Sequence, residues 1–358
     1  MKKFAVIAAG AAMLAGFSVQ VSAQSVTLYG IVDMGFVRES GGSTGSLNKL
    51  TSGMASGSRF GLKGVEDLGG GTSAVFVLEN GFQADTGAQG QGGALFGRQA
   101  FVGLRSDRLG SLLLGRQYTP EYNTLAMLDP FSTGLAGDAA NLMPNTGNAA
   151  SRMDNTVKYL SPSFGGVTAE LARGFGEVAG ASNAQGQWGG ALAYAAGPLN
   201  LRLGLHYRDN DTASTQAASG RTSLLAATYD FGVLKAHLGY GVNKGLNSSP
   251  LRNTSNPYGA ASAPVASTDS RDLLVGLTVP LGSHTLLASY IHKDDKTALN
   301  QDAAQWALGY RYALSKRTDL CASYAHIRNS NGAAYTVGSA IEAGSGNAAY
   351  SLGIRHAF

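Results

Sequence analysis

The groups best able to do chemistry are few and unevenly spread. Six histidines, His206, His237, His284, His292, His326 and His356, lie far apart, and none sits in a recognisable nucleophile or metal-protease motif. The acidic pairs Asp209/Asp211 and Asp294/Asp295 have oxygen ligands to offer a cation, but they read as solvated loop tips. The Gly-rich run 87–93 lacks the Lys-Ser/Thr ending of a phosphate loop. One stretch stands apart. Residues 118–150 carry Glu121, Asp129 and Asp138 and no Lys or Arg, among the apolar Leu125, Met127, Leu128, Phe131, Leu135, Leu142 and Met143. A connection of roughly thirty residues is far longer than usual, and this one is too apolar to be a solvated tail. It is expected to fold into the lumen of a barrel and to set an acidic wall there, opposite a basic one.

The elements that must position such a wall follow from composition and periodicity. Of 358 residues 50 are Gly and 14% are charged, while 44% are hydrophobic. Mean hydropathy is nevertheless close to zero, at −0.02. Strands that show one face to lipid and one to water average out in this way. A soluble β-sandwich is the competing source of alternation. With one cysteine, Cys321, there is no intrachain disulfide. Lys2 and Lys3, the apolar run 4–19 and Val21-Ser22-Ala23 read as a secretory signal peptide, residues 1–23, cut after Ala23. Its removal leaves 25 basic and 23 acidic residues in 24–358. A balance this close to neutral implies no nucleic-acid partner.

Period-two alternation is clearest at 199–207. There Leu199, Leu201, Leu203, Leu205 and Tyr207 share one face, and Asn200, Arg202, Gly204 and His206 share the other. Tyr350, Leu352, Ile354 and Phe358 repeat it at the end of the chain. Short turns are expected near 67–71, 107–110, 161–166, 196–198, 229–232, 280–282 and 315–317. Longer connections are expected near 39–57, 84–95, 118–150, 174–187, 209–220, 243–270, 293–303 and 329–347. Seven short turns alternating with eight long connections predict an all-β fold. It is a 16-stranded antiparallel transmembrane β-barrel with both termini on the short-turn side.

Several stretches then resemble the general (non-specific) porins of Gram-negative bacteria, in their β-proteobacterial form. They are 26–33 (VTLYGIVD), 58–64 (SRFGLKG), 66–71 (EDLGGG), 114–117 (LGRQ), 159–166 (YLSPSFGG), 314–318 (LSKRT) and the closing 353–358 (GIRHAF). They are ordered along the whole of 24–358. The resemblance implies a water-filled channel, a homotrimer and a third long connection folded inward. It also implies that Phe358 is the signal read by the outer-membrane assembly machinery. Family members keep three arginines on the wall facing the inward loop, and Arg59, Arg98 and Arg152 are similar to them by motif. Arg98 shares parity with Ala100, Val102 and Leu104, so it must stand at a strand end or bulge to face inward. Lys63, Arg116 and Lys158 are secondary basic candidates.

The expected function is passive diffusion of ions and small hydrophilic solutes across the outer membrane, with mild anion preference and no cofactor, metal or catalytic group. Lipid and lipopolysaccharide are the expected surroundings. The rival readings are a substrate-specific channel or adhesin-like barrel, which the long connections 243–270 and 329–347 would serve, and an outer-membrane hydrolase.

Overall fold

The computed structural model describes residues 25–147 and 150–358. The expected signal peptide, 1–23, lies outside the described residues.

Most strands alternate, and at one end of the barrel each is joined to the next by a short turn, so its neighbour runs back beside it. In chain order the strands begin with β1 (Ser25–Gly42) and β2, which is made of Gly45–Ser52 and Arg59–Gly69. Next come β3 (Thr72–Gly81), β4 (Gln99–Ser106), β5 (Gly110–Tyr118) and β6, made of Arg152–Met153 and Thr156–Leu160. Then follow β7 (Val167–Gly174), β8 (Gln187–Ala196), β9 (Leu199–Arg208), β10 (Gly220–Asp230) and β11 (Lys235–Ser249). The last five are β12 (Ser267–Leu281), β13 (His284–Asp295), β14 (Ala303–Ala313), β15 (Thr318–Asn329) and β16 (Ala348–Ala357). Both pieces of β2 pair with β1 and both pieces of β6 pair with β5, so eighteen hydrogen-bonded segments make sixteen wall strands. Every pairing is antiparallel, and β16 closes the barrel on β1 from Ala357 opposite Ile31 to Ala348 opposite Ser40. Closure leaves no open edge, which lipid would not tolerate.

The side chains are arranged inside out relative to a soluble protein. Leu201, Leu203 and Leu205 of β9 face outward and are exposed, while Gly204 and His206 between them are buried inside the barrel. Leu273, Val275 and Leu277 of β12 do the same. A closed barrel with an apolar outside and a polar inside sits in a membrane. No helix among the described residues is long and apolar enough to cross one.

The seven short turns fall where the pattern predicts. Two of the long connections differ. Strand β1 runs to Gly42 and turns directly into β2 at Gly45, so most of 39–57 is ladder and not loop. Gly41 and Gly45, with φ of +86° and +88°, supply the left-handed backbone this tight return needs. The sequence Gly41-Gly42-Ser43-Thr44-Gly45 spells a nucleophile-elbow pattern, but it is this hairpin turn, with no helix after it. In the same way β11 and β12 extend to Ser249 and from Ser267, which shortens the connection expected over 243–270.

The inward loop packs its apolar side chains against inward-facing apolar residues of the wall such as Leu224, Leu274 and Ile291. Leu125, Leu128, Phe131 and Leu135 are fully buried. A helix, α1 (Pro120–Leu128), starts it. The Thr119 hydroxyl accepts from Tyr122 N–H at 3.1 Å and Pro120 occupies the first turn. The loop lies along a track of inward-facing glycines. A Cβ at Gly189 would come within 2.8 Å of Pro120, one at Gly204 within 2.4 Å of Thr124, and one at Gly239 within 2.1 Å of Leu128. At Gly276 it would meet Pro130 at 2.4 Å, and at Gly309 it would meet Phe131 at 2.6 Å. These glycines are needed for close approach.

Candidate functional site: an arginine-lined constriction

Two departures from regular strand bring the basic wall together. Strand β2 breaks at residues 53–58, where the buried Asp33 carboxylate accepts from the N–H groups of Met54, Ala55 and Ser56 at 2.9–3.3 Å. The break satisfies backbone that has left the ladder, and the strand resumes at Arg59. Arg98 stands immediately before β4, at a strand end, which resolves its parity. Its N–H still bonds Glu79 O at 3.2 Å.

Arg59, Arg98 and Arg152 line one cavity of about 580 Å³. Tyr118 at the end of β5 and Tyr122 and Thr133 of the inward loop face it, and so do Ile341 and Arg252. Among the described residues, no Asp or Glu lines it. Arg98 Nε donates to Glu79 Oε1 at 2.8 Å, and both side chains are buried. Tyr29 O–H donates to the other oxygen of Glu79 at 3.0 Å. Arg59 donates Nε to Gly57 O at 2.9 Å, and Arg152 donates to Ser151 Oγ and Tyr118 Oη at 3.1 Å each. Neither forms an ion pair among the described residues. Tyr118 is the spacer of the cluster. It accepts from both Arg98 and Arg152, lies 4.7 Å under the Arg152 guanidinium and stacks on Tyr122 with centroids 5.0 Å apart.

The secondary candidates lie outside this cavity. Lys63 is exposed, 5.4 Å over the Tyr29 ring. Arg116 is paired with Asp154 and bonds Gly97 O at 2.7 Å. Lys158 is buried and paired with Glu170 at 3.0 Å.

The expected acidic wall is corrected by the structure. Glu121, Asp129 and Asp138 are all buried, each 1–2% exposed, and none of them faces the cavity. The reason is the loop's own backbone. Asp129 accepts from the N–H groups of Phe131, Thr133 and Ala139 at 2.9–3.0 Å. Asp138 caps Ala140 N–H at 2.8 Å and pairs with Arg252 at 3.1 Å. Glu121 is enclosed between α1 and the wall. Burial, with the Asp272 charge behind it, pushes its carboxyl up to about 8, and burial followed by the Asp138 charge pushes Asp129 up to about 7. His206, on the polar face of β9, is likewise buried.

Sequence reasoning missed Glu79, Tyr118, Tyr122 and Arg252. The aromatic pair was visible as Tyr118 and Tyr122 flanking the helix cap. Arg252 sits in a polar connection with no local signal.

A model of the Gram-negative porins matches residues 5–332. The chain belongs to the Gram-negative porin family. An outer membrane porin of Bordetella pertussis is 33% identical over 89% of this chain and 93% of its own length. Outer membrane porin protein 32 of Delftia acidovorans is 32% identical over 97% and 98%. Among solved structures, an anion-selective porin from Comamonas acidovorans superposes with a TM-score of 0.76 at 31% identity, over 94% of this chain and all of that one. This porin therefore sits in the outer membrane and forms a water-filled channel for passive diffusion of ions and small solutes. Its sixteen strands are wide enough to leave a lumen, and the inward loop narrows it.

Proposed function

We propose that this porin prefers anions, and that Arg59 and Arg152 carry the preference. The observation behind this is the cavity lined by guanidinium groups and, among the described residues, by no carboxylate. Arg98 is balanced by Glu79 and holds Tyr118, so its part is mainly architectural. Arginine suits the task because it stays charged and contacts anions through a fixed fork. An unbalanced charge about 4 Å from a passing anion is worth about 1 kcal/mol in bulk water and about 4 kcal/mol at an effective dielectric of 20. The lower figure corresponds to roughly fivefold in permeability ratio, weak enough for release. The similar Comamonas porin is anion-selective by name, which favours the same direction.

The remaining assignments belong to the same reading. Residues 1–23 are a cleaved signal peptide and 24–358 the mature barrel, assembled as a homotrimer among outer-membrane lipid and lipopolysaccharide. The terminal Phe358 is read by the assembly machinery, and the channel is not an enzyme. Reversal potentials across a planar bilayer in a salt gradient test the selectivity. A cation-preferring wild type overturns it. Mass spectrometry of the mature chain should find Gln24 at its start.

A further inference from the structure

The cavity has a third side, which neither the wall nor the inward loop supplies. Arg252, in the connection between β11 and β12, reaches into it with its side chain 11% exposed. Its Nη1 donates to Asp138 Oδ2 and Asn141 Oδ1 of the inward loop, both at 3.1 Å. Its Nη2 donates to the carbonyl oxygens of Ser339 and Glu342 at 2.8 and 3.0 Å. One guanidinium thus spans the inward loop and the connection 330–347. The two also touch directly, where Gly338 N–H donates to Asn141 Oδ1 at 3.0 Å.

The far flank of 330–347 is fastened to the first hairpin. Ser345 N–H donates to Glu39 at 2.8 Å, Thr51 Oγ1 donates to Glu342 at 2.6 Å, and Lys49 pairs with both glutamates. Between these anchors Ile341 rests on the break in β2. A Cβ at Gly53 would meet its side chain at 2.9 Å, and one at Gly57 would meet it at 3.1 Å. Ile341 therefore lines the cavity beside the start of the strand that carries Arg59.

We propose that the connection 330–347 is a second jaw of the constriction, and that Arg252 is the positioning residue that fixes its span from the inward loop. The inference rests on the channel reading above. Because Asp138 balances the Arg252 charge, Arg252 contributes geometry more than field. Its four bonds use a planar fork that lysine cannot reproduce.

The test is single-channel conductance, neutral-sugar size limit and ion selectivity of full-length Arg252→Ala, Arg252→Lys and Ile341→Ala. In both Arg252 variants conductance should rise and the size limit shift to larger sugars, with the anion-to-cation ratio held near that of wild type. Ile341→Ala, which leaves every anchor in place, should widen the pore in the same sense and serves if the Arg252 variants fail to assemble. The proposal is overturned if Arg252→Lys matches wild type while Arg252→Ala changes selectivity alone, since Arg252 is then only a pore charge. It is also overturned if Ile341→Ala leaves the size limit unmoved. A wild-type protein that conducts no ions would instead bring down the channel reading itself.

Discussion

The wall side and the loop side of the constriction each bring three charged residues, and the two sets end differently. Arg59 and Arg152 line the cavity without a carboxylate partner among the described residues, whereas Glu121, Asp129 and Asp138 are enclosed. The difference lies in the backbone. A residue in or beside a barrel strand has its N–H and C=O largely met by the ladder, so its side chain is left for the lumen. A chain that leaves the sheet and folds through the interior has unmet N–H groups. Asp129 meets three of them and Asp138 meets another, so charge that would have faced the pore is used to hold the loop. The field across the opening is then one-sided.

Removing both unbalanced guanidiniums breaks this comparison most severely. Arg59→Gln with Arg152→Gln should abolish anion preference, read as a reversal potential moving to or past zero. Retained preference would mean that the field originates elsewhere. Glu79→Gln sharpens the comparison from the other side. It uncovers the Arg98 charge while leaving an acceptor for Tyr29, so anion preference should rise, by roughly fivefold at the low end of the Coulomb estimate. Arg98→Gln does the reverse and strands a buried carboxylate, which costs about 3–5 kcal/mol and should lower the melting temperature of the oligomer.

Seating of the loop is open to a smaller perturbation. Gly276→Ala drives a Cβ against the rigid ring of Pro130, whereas Gly190→Ala meets nothing nearer than 3.8 Å. Overpacking costs about 1–3 kcal/mol. Open-channel current noise should therefore grow in the first variant and stay at the wild-type level in the second.

Much of this was legible in the chain, and what was not has a common cause. Turn residues are local signals, and the alternation of seven short turns with eight long connections predicted the sixteen strands, period-two alternation marking the clearest of them, such as 199–207. Arg59 was readable because Phe60 and Leu62 set its parity, and Arg98 because its conflicting parity demanded a strand end. The glycine track was not readable. Gly189, Gly204, Gly239, Gly276 and Gly309 come together only through the register of neighbouring strands. Asp129 before Pro130, and Asp138 two residues before Ala140, did carry a local signal. Such aspartates are acceptors for turn and helix-start backbone, a role that competes with lining a pore. Arg252 was hidden because its four partners are distant in sequence.

The mildest perturbation separates charge from enclosure on the loop side. Glu121 holds its proton up to about pH 8 when α1 is docked, against about 4.5 for an ordinary glutamate. The docked state therefore binds the extra proton between those values, and docking weakens as pH rises through that window, by at most roughly 1.4 kcal/mol per pH unit for one group. Glu121→Gln is neutral in both states. At pH 7 it leaves the docked charge almost unchanged, so conductance and selectivity should barely move. It should nevertheless raise stability there and flatten the fall of the thermal midpoint between pH 5 and 8. The slope should shrink without vanishing, because Asp129, raised to about 7, titrates in the same range. An unchanged slope in Glu121→Gln would show that this carboxylate is ionised in the docked loop after all, and a drop in stability at pH 7 would give its charge a favourable partner.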